Sequence, residues 1–230
     1  MKKLNPIAEL SKKYSESPII RSLCQLLPGW SSADTLLQHR ADEIKKDRLL
    51  TFFDELAKGE IALKPELINS NDFLHCFFAT ARAALNSRRK DKIEMFARLL
   101  NDFISSNFLT NANEYEEFLS MLDELNHIHI SILFIIFKEK NSAKGVVGTK
   151  IMDKIIKWDS NERKRQYETE GDYLVSGALE KLTSLKLIAT THTSSMKLVR
   201  HNVNVLSPYE FTPLGEKFVS LIFDDEKINI

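Results

Sequence analysis

Residues 171–223 constrain the fold more than any other stretch of this chain. Leu174, Ala178, Leu182 and Leu185 recur at spacings of four, four and three, and Leu179 widens the same stripe. That period predicts an amphipathic helix over 171–186. Asp172, just after Gly171, is placed to cap the free N–H groups of its first turn. Beyond Lys186 the period changes. Leu187-Ile188-Ala189-Thr190-Thr191 is rich in β-branched residues, and 197–206 partly alternates, so both are candidate strands. His192-Thr193-Ser194-Ser195 between them reads as the turn of a hairpin. Thr212-Pro213-Leu214-Gly215-Glu216 then opens a second helix, because a Pro at the first helical position forfeits no hydrogen bond. Phe218, Leu221 and Ile222 give that helix its apolar side.

Helix, hairpin and capped helix, with the phrase Leu187-Ile188 … Phe211-Thr212-Pro213-Leu214-Gly215, resemble the winged helix-turn-helix superfamily. The resemblance implies that the helix before the hairpin reads DNA and that the hairpin is the wing. The module's first helix would then be 128–138 and its second 149–158, with a turn at 145–148. The outward positions of 171–186 are expected to be Tyr173, Ser176, Gly177, Glu180, Lys181 and Ser184. They include no Arg and no Asn or Gln pair for base edges. Lys197, Arg200 and His201 in the hairpin suit phosphates. Arg163-Lys164-Arg165 is the densest basic run, but Glu162, Glu168 and Glu170 flank it, as on an ordinary solvated face. The charged connector 160–170 is longer than a compact helix-turn-helix uses, which weighs against DNA reading. Winged helices also bind proteins and dimerise, so the fold does not choose the partner.

The 32 basic and 32 acidic residues cancel, which counts against strong nonspecific DNA binding. At 230 residues and 43% hydrophobic content, the chain can hold one large core or two small ones. Cys24 and Cys76 are unclustered, so they suit a reducing compartment and offer neither a metal site nor a disulfide framework. Cys76, among Phe73, Phe77 and Phe78, reads as a small buried hydrophobe. Met1-Lys2-Lys3 has no apolar core after it, so no signal peptide is expected. The longest apolar run, 130–137, falls far short of the ~20 residues of a spanning helix. A cytoplasmic location without membrane contact is therefore expected.

Upstream, two short helical stretches over 5–27 are broken near Pro18, and Leu27-Pro28-Gly29-Trp30 is a turn. Ser31-Ser32-Ala33-Asp34 caps a long helix to about Lys58. Leu36, Leu37, His39, Ile44, Leu49, Phe52, Phe53 and Leu56 trace its stripe around a charged middle. Gly59 ends it, and 61–69 is a connector containing Pro65. Asn71-Asp72 caps a helix over 73–85 that breaks at Asn86-Ser87. A clean three-four pattern runs through Ile93, Phe96, Ala97, Leu100, Phe103 and Ile104 over 90–105. Its basic start, Arg88-Arg89-Lys90, opposes the helix dipole there, but the same run would be favourable as an extension of the preceding helix's C-terminal end. Asn113-Glu114-Tyr115-Glu116 has capping-box spacing and starts a helix carrying Tyr115, Phe118, Leu119, Leu122 and Leu125.

Ala81-Arg82-Ala83-Ala84-Leu85, then 88–100, Tyr115-Glu116-Glu117-Phe118-Leu119 and Leu122-Asp123-Glu124-Leu125 carry a second resemblance. With the turn at 27–29, residues 26–137 look like uncharacterised bacterial and prophage proteins near the abortive-infection alpha family. The resemblance implies a helical domain and a setting in phage conflict, with no catalytic residues to carry over. A Gly-rich apolar stretch expected near the N-terminus is absent; Trp30 and a few leucines stand there instead.

Other constellations read as structural. His127 and His129, two apart on a helix, face different directions and chelate poorly. His75 and Cys76 point ~100° apart, so they make no nucleophile pair. Asp224-Asp225-Glu226 reads as a solvated tail, and no phosphate-binding glycine loop occurs. The expectation is a mainly α fold. A helical domain (1–125) precedes a winged-helix domain with a small β-hairpin (126–223) and an acidic tail (224–230). The expected function is non-enzymatic binding, with no cofactor, metal or small-molecule substrate. Tyr173, Ser176, Lys181, Lys197 and Arg200 would meet duplex DNA, and Arg163, Lys164 and Arg165 would hold phosphates. The alternative is an adaptor that uses the module for a protein partner or a homodimer.

Overall fold

Helical periodicity dominates the structure as it does the sequence. The computed structural model of the protein describes residues 35–59, 70–105, 112–139, 146–147, 151, 167–190 and 208–223. These residues are mainly helical, with one small antiparallel sheet. The chain divides into two compact units, Met1–Leu122 and Asp123–Ile230.

In the first unit, α1 (Thr35–Ala57), α2 (Asn71–Asn86) and α3 (Lys90–Ser105) pack pairwise on one another. The fourth helix, α4 (Ala112–Glu124), adds Tyr115, Phe118 and Leu122 to the same core. Leu49, Phe52, Phe53, Phe73, Phe77, Ile93, Phe96 and Leu100 are buried with them. Each such side chain contributes about 1.5–3 kcal/mol of transfer free energy. Phe73 stacks on Phe77 at 6.1 Å between centroids, and Phe103 stacks on Tyr115 at 4.0 Å.

Several boundaries differ from the sequence expectation. Ile44 is 51% exposed. At 3.6 residues per turn it stands roughly 130° from the stripe of Leu49, Phe52, Phe53 and Leu56. The N-cap position of α2 is Ser70, which makes no side-chain cap bond, so Asn71 and Asp72 lie within the first turn. Asn113 is likewise inside α4, whose first residue is Ala112. Arg89 at the start of α3 is answered locally by Asp91, with Nε–Oδ1 at 2.9 Å and Nη2–Oδ2 at 2.7 Å. Gly59 follows α1, where it packs against Asn101. A Cβ there would lie 2.6 Å from the side chain of Asn101.

At the α1–α3 contact, Glu55 is buried and receives Arg98 Nε at 2.7 Å and the ammonium of Lys58. Burial raises the Glu55 carboxyl's pKa, but these two cations outweigh it and hold it below the usual range.

The second unit contains α5 (His127–Lys138), β1 (Val146–Val147), α6 (Tyr167–Ser184), β2 (Ile188–Thr190), β3 (Pro208–Phe211) and α7 (Pro213–Ile222). Ile151 is helical and buried. The rest of the helix expected over 149–158 lies outside the described residues, as do the turn at 192–195 and the strand expected over 197–206. Both β1 and β2 pair antiparallel with β3, giving the order β1-β3-β2. Val146 stands opposite Tyr209, and Ile188 opposite Phe211. Two corrections follow. Val146-Val147 is a strand rather than part of a turn, so the sheet exceeds a simple hairpin. The strand that completes it is Pro208–Phe211, which lies beyond the expected strand at 197–206; Pro is tolerated at a strand's first residue.

The sixth helix starts at Tyr167, four residues before Gly171, so Asp172 lies inside the helix and not at its N-cap. The last part of the expected connector 160–170 therefore belongs to α6. Its buried stripe is Val175, Ala178, Leu179 and Leu182. Leu174 is 51% exposed and Leu185 half-buried. Both sit roughly 70–90° from the centre of the stripe, at its edge. This stripe packs on α5, while β3 contacts α5 and α7.

A dense joint links α6, the sheet and α7. Leu187 N–H donates to Leu182 O at 3.0 Å and Lys186 N–H to Thr183 O at 2.9 Å. This is a Schellman termination with Lys186 at the left-handed position, φ 58°. Leu182 and Leu187, both fully buried, make its apolar contact. Thr212, the N-cap of α7, accepts from Gly215 N–H at 3.0 Å. Its hydroxyl donates to Lys186 O, and its backbone N–H donates to Leu187 O at 3.1 Å. Pro213 occupies the first helical position, as expected. A Cβ on Gly215 would lie 1.8 Å from Leu187 O, so only glycine lets the two segments approach this closely.

Candidate nucleic-acid interface

On α6, at about 100° per residue, the four buried positions define the inner face. The ridge opposite them carries Tyr173, Gly177, Glu180 and Ser184. Gly177, Glu180 and Ser184 are exposed; the side chain of Tyr173 lies outside the described part of the structure. Ser176 and Lys181 are half-buried and stand on opposite flanks, roughly 140° apart. The structure therefore does not bring Ser176 and Lys181 together into one contact surface. An acid, Glu180, sits on the ridge instead.

Lys181 is also engaged. Its ammonium bonds the Glu124 carboxylate at the end of α4. The pair is half in water, so it adds little stability, but it places a carboxylate beside the one cation that α6 was expected to offer to DNA. Nothing in the sequence marks Glu124 as the partner, since 57 residues separate the two. On the described part of this unit the acids Asp123, Glu124, Glu139, Glu168, Glu170, Asp172, Glu180, Glu210 and Glu216 outnumber the bases Lys138, Lys181, Lys186 and Lys217. No arginine is among them.

Arg163, Lys164, Arg165, Lys197 and Arg200 lie outside the described residues. Among the described residues, β3 carries Tyr209. It is buried on β3, and its hydroxyl pKa is pushed up by burial and by Glu180 nearby. Glu210 points to the opposite, exposed side of the strand.

The histidine and cysteine constellations resolve into packing. Cys76 is buried, and its thiol pKa is pushed up to about 11 by burial, with Glu116 and Asp72 adding to the effect. Such a thiol is unreactive at neutral pH. His75 is exposed on another face and lies 3.4 Å from Glu116. Tyr115 shares its buried hydroxyl with Thr80, which also donates to Cys76 O at 2.7 Å. Burial drives the Tyr115 pKa up despite that bond. His129 Nδ1 is taken by the Asn126 backbone N–H, and His127 Nδ1 lies 3.3 Å from Ser131 Oγ. Among the described residues no group of three or more His, Cys, Asp or Glu could hold a metal ion. No single helix among them is long and apolar enough to cross a membrane.

No family model, curated protein or solved structure matches this chain.

Proposed function

We propose that the second unit is a winged helix-turn-helix module and that the protein is a non-enzymatic binding protein whose α6 face meets a protein partner. The order helix, short strand, helix, antiparallel strand pair and capped helix supports the module. The observation that carries the partner class is the outward ridge of α6. Glu180 lies at its centre, Lys181 is already paired with Glu124, and the exposed Leu174 borders it. A helix with that ridge is repelled by phosphates and has no donor fork for a base edge. A second copy of the chain is the first partner to test, and the phage-conflict setting implied by the first unit's resemblance is part of the proposal.

Sedimentation at several concentrations should show a dimer that Glu180→Arg and Leu174→Asp weaken. A monomer at every concentration would sink the homodimer. Duplex DNA binding is the second reading, favoured by Arg163-Lys164-Arg165 together with Lys197 and Arg200. It requires binding that falls steeply with salt and drops on charge reversal at 163–165. That result would move the assignment to DNA.

A further inference from the structure

His129 stands at the third position of α5, where a capping box ordinarily carries Glu or Gln. Asn126 Oδ1 accepts from the His129 N–H at 3.1 Å, and His129 Nδ1 accepts from the Asn126 N–H at 3.0 Å. A backbone N–H can only donate, so Nδ1 must hold a lone pair and the ring must be the neutral tautomer protonated at Nε2. His129 is 9% exposed. A proton on Nδ1 would set one N–H against another. It would leave the Asn126 donor without its acceptor and add positive charge at the positive end of the helix dipole. A glutamate or glutamine in this place keeps its acceptor oxygen at neutral pH and below.

We propose that the Asn126–His129 box is a pH-responsive joint at the start of α5, closed while the imidazole is neutral and opened when Nδ1 takes a proton. The second unit depends on α5, which packs on α6 and β3. The charged and titratable groups on those elements are Tyr167, Glu168, Glu170, Asp172, Tyr173, Glu180 and Lys181 of α6 and Tyr209 and Glu210 of β3. Asp123 and Glu124 close α4, and His127 and Lys138 share α5. A carboxylate near Nε2 would shift the pH at which the joint opens. It would not restore an acceptor at Nδ1, so it would not abolish the response.

The sign follows from the bond. The closed form needs the neutral ring, so its stability is present above the unfolded histidine's pKa of about 6.5 and declines as pH falls below it. Amide exchange on the full chain between about pH 7.5 and 5.5 reads this at Asn126 and His129, after correction for intrinsic exchange chemistry. Protection at both amides should fall by up to about tenfold per pH unit, the limit for one proton. His129→Gln should flatten that slope, and His127→Gln should keep it. A flat wild-type profile, or an unchanged slope in His129→Gln, would overturn the proposal. Ring nitrogen shifts of the wild-type protein give a reading that does not depend on any variant folding; a proton on Nδ1 at pH 7.5 refutes the joint outright.

Discussion

Replacing Gly215 with alanine tests the joint between α6, the sheet and α7. The added Cβ would lie 1.8 Å from Leu187 O, 2.8 Å from Leu187 C and 3.1 Å from Leu187 Cα. Every contact is with backbone, so no side-chain rotation relieves it. Reaching ordinary van der Waals distance requires a displacement of roughly 1.5 Å. Leu187 cannot recede easily, because its N–H is held by Leu182 O and it leads directly into β2. If α7 recedes instead, the 3.1 Å bond from Thr212 N–H to Leu187 O breaks, and so does the bond from the Thr212 hydroxyl to Lys186 O. Overpacking costs ~1–3 kcal/mol and each lost hydrogen bond ~0.5–1.5 kcal/mol, so a loss of about 3–4 kcal/mol is expected. For a unit of this size that is a fall in Tm of the order of 15 °C. Thermal unfolding followed by circular dichroism, with exposed Ser220→Ala as control, measures it. A Gly215→Ala protein melting within a degree or two of wild type would refute the close approach, and with it the account of why glycine stands here.

Lys186 is the opposite case, a residue with a Cβ where the backbone favours none. At φ 58° it carries a left-handed cost of ~1–2 kcal/mol, partly offset by the greater freedom of glycine in the unfolded chain. Lys186→Gly should therefore stabilise the protein by about 0.5–1 kcal/mol in chemical denaturation; a destabilised variant would contradict the Schellman geometry. In the first unit, Arg98→Ala removes a bond to Glu55 and leaves a buried carboxylate, which should cost ~2–4 kcal/mol. The Glu55 carboxyl pKa is lowered on folding, so its contribution is present above the ordinary value of 4.5 and is lost as pH falls through the folded value. Glu55→Gln should flatten that acid limb, and an unchanged limb would assign it to other carboxylates.

Where helix periods were long, the sequence showed the element and its inner face. The 90–105 helix is the clearest case, because its three-four pattern runs uninterrupted through Ile93, Phe96, Leu100 and Phe103. Stripe edges were less legible. Leu174 and Val175 are both apolar neighbours, and only the α5 and β2 surfaces packed on α6 decide which of them is inside. Helix starts differ from those expected at Asn71, Asn113 and Asp172 for one reason. A polar residue with capping chemistry caps only if the chain before it is non-helical, and spacing does not report that. The strand at Pro208–Phe211 is four residues long and held by pairing with two others distant in sequence, so no local period announces it.

The residues that carry the winged-helix resemblance have a physical role of their own. Leu187 and Ile188 are buried, Thr212 bridges α7 to the end of α6, Pro213 starts α7, and Gly215 admits the Leu187 carbonyl. All of them specify how a helix, a sheet and a helix meet. None presents a charge or a hydrogen-bonding fork to a partner. A chain can therefore keep this whole phrase while its exposed ridge changes freely, because the ridge residues Gly177, Glu180 and Ser184 are exposed and lie opposite the buried face of α6. On the proposed reading, partner choice rests with the ridge and with the basic residues at 163–165, 197 and 200. That is why Glu180→Arg is the informative substitution. It should leave the melting temperature nearly unchanged while altering association, whereas Gly215→Ala should lower the melting temperature and weaken association together.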